Sequence, residues 1–176
     1  VEVAVEAGAA AAGDSPAAVA VPAAVVQEGV GDMKTGDFIK QLAHKKIVAA
    51  IREAEKITSG EIRVFVSRKV ITEVVAAAQA EFNRLGMERT RQRNAVLIFV
   101  APNSQKFAVI GDTGVHEKCG QKFWDTLAAE MSGHFVRGDY SQGILTGIAQ
   151  AGEILARHFP IQPGDKNELP DRVETD

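Results

Sequence analysis

Beyond residue 37 the apolar positions alternate between two spacings, and the alternation predicts the elements. Ile39, Ala43, Ile47, Ala50, Ile51, Ala54 and Ile57 recur every three or four positions, with Lys40, Lys45, Arg52 and Lys56 between them, the pattern of an amphipathic helix. Its stop is Thr58-Ser59-Gly60, where glycine can take the left-handed conformation that closes a helix. Residues 61–67 (EIRVFVS) switch to β-branched alternation and read as a first strand. The helical period returns through Ile71, Val74, Val75, Ala78, Phe82 and Leu85, and Gly86 ends this second helix. The continuous apolar run over residues 94–100 predicts a central strand buried on both faces. The turn Pro102-Asn103-Ser104 joins it to a third strand over residues 106–110, and so short a connection makes the pair an antiparallel hairpin. A loop over residues 113–120 (TGVHEKCG) leads to a third helix from about Gln121, which buries Phe123, Leu127 and Met131 and weakens at Ser132-Gly133. Arg137-Gly138-Asp139-Tyr140 introduces a fourth helix, with Asp139 and Gln142 as a capping pair. Its stripe is Ile144, Leu145, Ile148, Gly152 and Leu155, the glycine permits close backbone approach, and Pro160 ends it.

The order α-β-α-β-β-α-α predicts an α/β fold, a three-layer α/β/α sandwich around a small mixed sheet. The first two strands, joined through a helix, form a parallel pair with a right-handed crossover. With 176 residues, 45% of them hydrophobic, one core is expected. The domain spans residues 33–160. Before it, residues 1–32 are rich in Ala, Val and Gly, lack large side chains, and read as a flexible leader, with Met33 as an alternative start. After it, residues 161–176 carry two further prolines and many charges and read as an extended or disordered tail.

Charge narrows the partners. A formal net charge of −3 argues against a domain-wide nucleic-acid surface, which needs a basic stripe. Arg84, Arg89, Arg91 and Arg93 stand close together, and their ordinary reading is a solvated connecting loop, with a phosphate or acidic partner as the rarer one. Cys119 is the only cysteine, so neither an intramolecular disulfide nor a cysteine-rich zinc site can form. That fits a reducing compartment, and the cytoplasm is the expected location, with export or anchoring through upstream sequence as the alternative. No apolar run reaches the roughly 18 residues that a membrane span needs.

Topology then gathers the polar residues. Parallel strands start at one edge, and the hairpin returns to it, so Glu61, Arg93, Asn94 and the Gly111-Asp112 corner share a rim. The carboxylates expected there are Glu61, Asp112 and Glu117, with His116 and loop carbonyls beside them. Such oxygen donors suit calcium or magnesium rather than zinc or copper, and calcium is favoured. Each carboxylate also has an ordinary reading: Glu61 starts a strand, Asp112 favours a turn, and Glu117 is solvated. No EF-hand spacing, dinucleotide fingerprint, P-loop, serine-hydrolase elbow or zincin motif occurs. A Cys119–His116 nucleophile pair near a helix start is weighed below the reading of Cys119 as a small apolar residue. Asp139 is carried by the third helix to the opposite end of the domain.

The segments TSGEIRVFV, RNAVLIFVAP, KFAVIGDTGVHEK and FVRGDYSQGILTGI, taken in order over residues 57–160, resemble the TPM domain family, and most of all its short bacterial stand-alone members. The resemblance implies an α/β sandwich, an association with divalent cations, calcium in particular, and, from the plant branch, a proposed acid phosphatase activity. Glu61 matches the family's strand-initiating Glu, and residues 137–140 match its G-D-Y element. The corner from Gly111 to Glu117 departs from the commoner G-x-G-L-E form. The leading expectation is a binding module that holds a divalent cation at the strand-rim loops, with a protein partner as a further expectation. The alternatives are a metal-dependent phosphatase, with Arg91 or Arg93 countering phosphate charge, and a structural interaction domain without metal.

Overall fold

A mixed sheet of five strands organises the computed structural model, in the order β1-β4-β3-β2-β5. The described residues are 18–19, 35–165 and 167–176. In chain order the elements are β1 (Ala18–Val19), α1 (Thr35–Gln41), α2 (His44–Glu55), β2 (Glu61–Val66), α3 (Val74–Arg84), β3 (Ala95–Ala101), β4 (Lys106–Gly111), α4 (Thr113–Val136), α5 (Tyr140–His158) and β5 (Val173–Thr175). The expected core of the topology is present: β2 and β3 run parallel with Glu61 opposite Ala95, and β3 and β4 form the antiparallel hairpin. The leader expected over residues 1–32 lies outside the described residues, apart from the β1 pair, which joins β4 opposite Ile110 and Val109. The tail after Pro160 runs back along the sheet and ends in β5, parallel to β2.

Side chains leave each strand alternately, and the two sets bury against different helices. Ile62, Val64, Val66, Val96, Ile98, Val100, Phe107 and Val109 join residues of α1, α2, α4 and α5 in the larger core. Phe65, Leu97, Phe99, Ala108 and Ile110 face Val74, Ala78 and Phe82 of α3. Every residue of β3 is buried, as its unbroken apolar run requires. The result is the three-layer sandwich, with α3 alone on one face.

Two helices differ from the sequence reading. The first amphipathic stretch is two helices, because the chain turns at Leu42-Ala43 and α2 starts afresh at His44. The expected loop over residues 113–120 is helical: the Asp112 side chain accepts the Thr113 N–H at 2.7 Å and starts α4 at Thr113, eight residues before the expected Gln121. Gly120 then breaks α4 with φ 68, a conformation that glycine reaches without a steric cost. No break appears at Ser132-Gly133, through which α4 continues to Val136. At the far end Asp139 occupies the N-cap position of α5, but its side chain makes no capping hydrogen bond and stands 3.5 Å from Arg137 instead. The expected close approach at Gly152 is made, where an added Cβ would lie 2.8 Å from the Ala54 Cβ of α2.

Gly111 shows how tightly the rim of the sheet is packed. An added Cβ would lie 2.1 Å from the ring of Trp124, which is fully buried. At Gly36, in α1, the same atom would meet nothing within 4 Å. Gly111→Ala is therefore expected to destabilise by about 1–3 kcal/mol through overpacking. Gly36→Ala should be neutral or stabilise by up to about 1 kcal/mol. Urea denaturation midpoints of the two variants measure both.

Candidate functional site

The rim that carries the site is built by the crossover. Because β2 and β3 are parallel and in register, Glu61 lies beside Ala95, and the Asp112 N–H donates to the Ala95 carbonyl at 2.9 Å from the other side. Glu61, Ala95 and Asp112 form one row on the α3 face. Two strand spacings separate its ends, roughly 9–10 Å. Arg93 and Asn94 lead into the row, as expected.

The carboxylates in the row have different surroundings. Asp112 is fully buried, and its Oδ1 accepts from Arg93 Nε at 2.9 Å and from the Thr113 N–H. Arg93 also donates to the Glu88 carbonyl and holds a left-handed φ of 53, so this corner is locked by an ion pair and a helix cap. Glu61 is only 3% exposed. Its Oε1 accepts the Glu168 N–H at 2.7 Å, while its Oε2 is buried without a partner. Glu117 is exposed on the first segment of α4. The three expected ligands are thus not one cluster, and among the described residues no group of three or more His, Cys, Asp or Glu side chains is arranged to hold a metal.

Beside Glu61 the structure adds a carboxylate that the sequence reading left out. Glu55, on the last turn of α2, accepts the Ile62 N–H at 2.8 Å through Oε1, and its carboxyl holds a proton that it shares with Asp171 in a side-chain hydrogen bond. Both glutamates line a cleft of about 50 Å³ that also takes in Thr58, Ser59, Asp165 and Asn167. The sequence offered little signal: Glu55 is one of two glutamates in the charged run Arg52-Glu53-Ala54-Glu55-Lys56, and a last-turn Glu in such a run is ordinarily solvated.

Burial pushes the Glu61 carboxyl up to about 7, against the Glu168 N–H and the charge of Arg63, which favour the anion. Glu55 is raised to about 9, chiefly by burial, with the carboxylates of Asp171 and Glu61 adding to it against the Ile62 N–H. Arg63, 2% exposed, donates to the Pro170 carbonyl and stands 3.9 Å from Glu174. Burial also lifts the Cys119 thiol to about 11, the opposite of what a nucleophile needs. The arginines over residues 84–93 are largely committed: Arg84 pairs with Glu81, Arg89 with Glu88 and Arg93 with Asp112.

A family model described as the TPM domain matches residues 33–154, more than half of the chain. The chain belongs to the TPM domain family. The BA42 protein of the psychrophilic bacterium Bizionia argentinensis, solved by NMR, is similar to this TPM domain at 39% identity and a TM-score of 0.70, over 76% of this chain and 92% of that one. No curated protein matches the chain. No helix among the described residues is long and apolar enough to cross a membrane.

The two raised carboxyls set the sign of a pH effect. Their folded values lie above the ordinary value of 4.5, so the folded chain keeps protons that the unfolded chain has released. Stability without added metal should therefore fall as pH rises from about 4.5, through about 7 for Glu61 and on to about 9 for Glu55. Urea midpoints in a chelator between pH 5 and pH 9 measure it, and Glu55→Gln should flatten the upper half of the decline.

Proposed function

We propose that this TPM domain is a binding module that holds a divalent cation, calcium in preference to magnesium, with Glu61 as the anchoring carboxylate. The observation that carries the reading is Glu61 Oε2, a buried carboxylate oxygen without a donor, on the wall of a cleft lined by further oxygens. An unpartnered buried polar atom costs about 1–3 kcal/mol, and a cation would offset that cost while replacing the proton the site otherwise keeps. Glu55 is the second ligand in this reading, and the neutral oxygens of Ser59 and Asn167 are the kind of donor that calcium accepts in irregular geometry and magnesium does not. Asp112 is committed to Arg93 and to the start of α4, which makes it a support of the rim, and Glu117 lies outside the ligand set.

Calcium titration followed by backbone amide shifts tests the proposal. Changes confined to Glu55, Glu61 and residues 165–168, absent in Glu61→Gln, are expected, with Asp112→Ala lowering stability but keeping the shifts. The apparent affinity should be weaker at pH 6 than at pH 8 by more than the roughly tenfold that the Glu61 proton alone imposes, because Glu55 must also release its proton to the cation. No localised shift at millimolar calcium would leave the structural interaction domain as the reading. Hydrolysis of an aryl phosphate that persists through repurification and is lost in Glu61→Gln would instead make the module a phosphatase.

A further inference from the structure

The chain after Pro160 lies beyond the region matched by the TPM family model, yet it crosses the Glu61 cleft. Asp165 and Asn167 form one wall of the cleft, and the body of the domain forms the other through Glu55, Thr58, Ser59 and Glu61. The Glu168 N–H donates to Glu61 Oε1 at 2.7 Å, the Leu169 N–H also favours the Glu61 anion, and Oε2 is buried with no hydrogen bond within range. Leu169 packs against the α3-side core, and the Pro170 carbonyl accepts from the buried Arg63. Asp171 lies 3.4 Å from Arg52, β5 pairs with β2, and Asp176 closes the run by accepting from Ser67 Oγ at 2.9 Å and the Arg68 N–H at 2.5 Å.

These contacts have a common character. Residues 167, 168, 170 and 172 are exposed, and the segment is held by two apolar anchors, Leu169 and Val173, a three-residue strand pairing and polar contacts spaced along it rather than by a continuous apolar face. Segments with few buried apolar contacts open at a small fraction of the global unfolding free energy. Peeling this one away would remove β5, uncover Glu61 and Arg63, and leave the other four strands and the four-helix core in place.

We propose that Asp165 together with residues 167–176 forms a strap that gates the Glu61 cleft and supplies two of the six oxygen-bearing side chains that line it. This rests on the cation reading of that cleft. Opening admits the cation, and closing brings the Asn167 amide oxygen to it. A cation held between Glu61 Oε2 and the strap ties the two halves together, so binding must lower the equilibrium population of the open strap by the same factor by which strap closure tightens binding.

Native-state hydrogen exchange of the full chain, with calcium chloride against potassium chloride at matched ionic strength, reads this directly. The amides to follow are those of Glu168, Arg68 and β5. Their exchange should slow as calcium rises, by at most about a hundredfold when calcium stands about a hundred times above its dissociation constant. Asp176→Asn with Ser67→Ala, which touches no cleft residue, should speed both strap exchange and calcium release. If calcium shifts the Glu55 and Glu61 amides while strap exchange is unchanged, the strap proposal is overturned and the cation reading stands. If calcium shifts nothing, both fall together.

Discussion

A strand enclosed on both faces and both edges has no room for polar chemistry except at its ends, and β3 imposes that constraint on the whole molecule. Its seven residues are buried. Its backbone is paired to β2 on one side and β4 on the other. Whatever this domain does with charge must therefore happen where the strands begin or stop. The parallel crossover sends the starts of β2 and β3 to the same edge, and the hairpin brings the end of β4 back to it. Ala95 at the centre of that edge is small, and the carboxylates flanking it are the first polar side chains the sheet permits.

The two ends of that row resolve the problem of buried charge differently. Asp112 meets an arginine and a helix start, so its charge is matched where it stands. Glu61 meets a close backbone donor at Glu168, a weaker one at Leu169 and a buried arginine that is itself turned toward Pro170 and Glu174, and its Oε2 makes no hydrogen bond within range. Burying a charge that is incompletely matched is costly, and the group responds by holding its proton. An arrangement of this kind does not improve stability. It is maintained by packing around it, through Leu169, Arg63 and the last turn of α2, and the unmatched oxygen is the feature that gives the rim a chemical use.

Much of this was legible in the chain. The two apolar spacings locate β2, α3, β3, β4 and α5 because each element has one dominant burial requirement, and a six- or seven-residue apolar run bounded by turns has few other readings. Topology alone put Glu61 and Asp112 on one rim. The start of α4 was misread because Thr113-Gly114 looks like loop chemistry, and only the Asp112 cap, visible once the strand end is located, makes the helix begin there. Glu55 was missed for a different reason. Whether a glutamate on a last helical turn is solvated or buried depends on what crosses it, and what crosses it is a segment more than a hundred residues away, around Asp171. The polar, proline-bearing tail carries no periodicity to announce that it folds back; its attachment is a matter of tertiary contacts, which local patterns do not encode.

The same economy governs the borders of the sheet. An edge strand offers a row of free amides and carbonyls to any other chain, and long apolar edges seed aggregation. The long strands β2 and β4 are not left as borders: β5, three residues long, lies along β2, and β1, two residues long, lies along the second half of β4. At the other half of β4 stands Lys106, its ammonium turned to the Thr72 carbonyl. What a neighbouring molecule meets is a template only a few residues long and a positive charge, so the most apolar strands of the domain are shielded from pairing with another copy by the least regular parts of the chain.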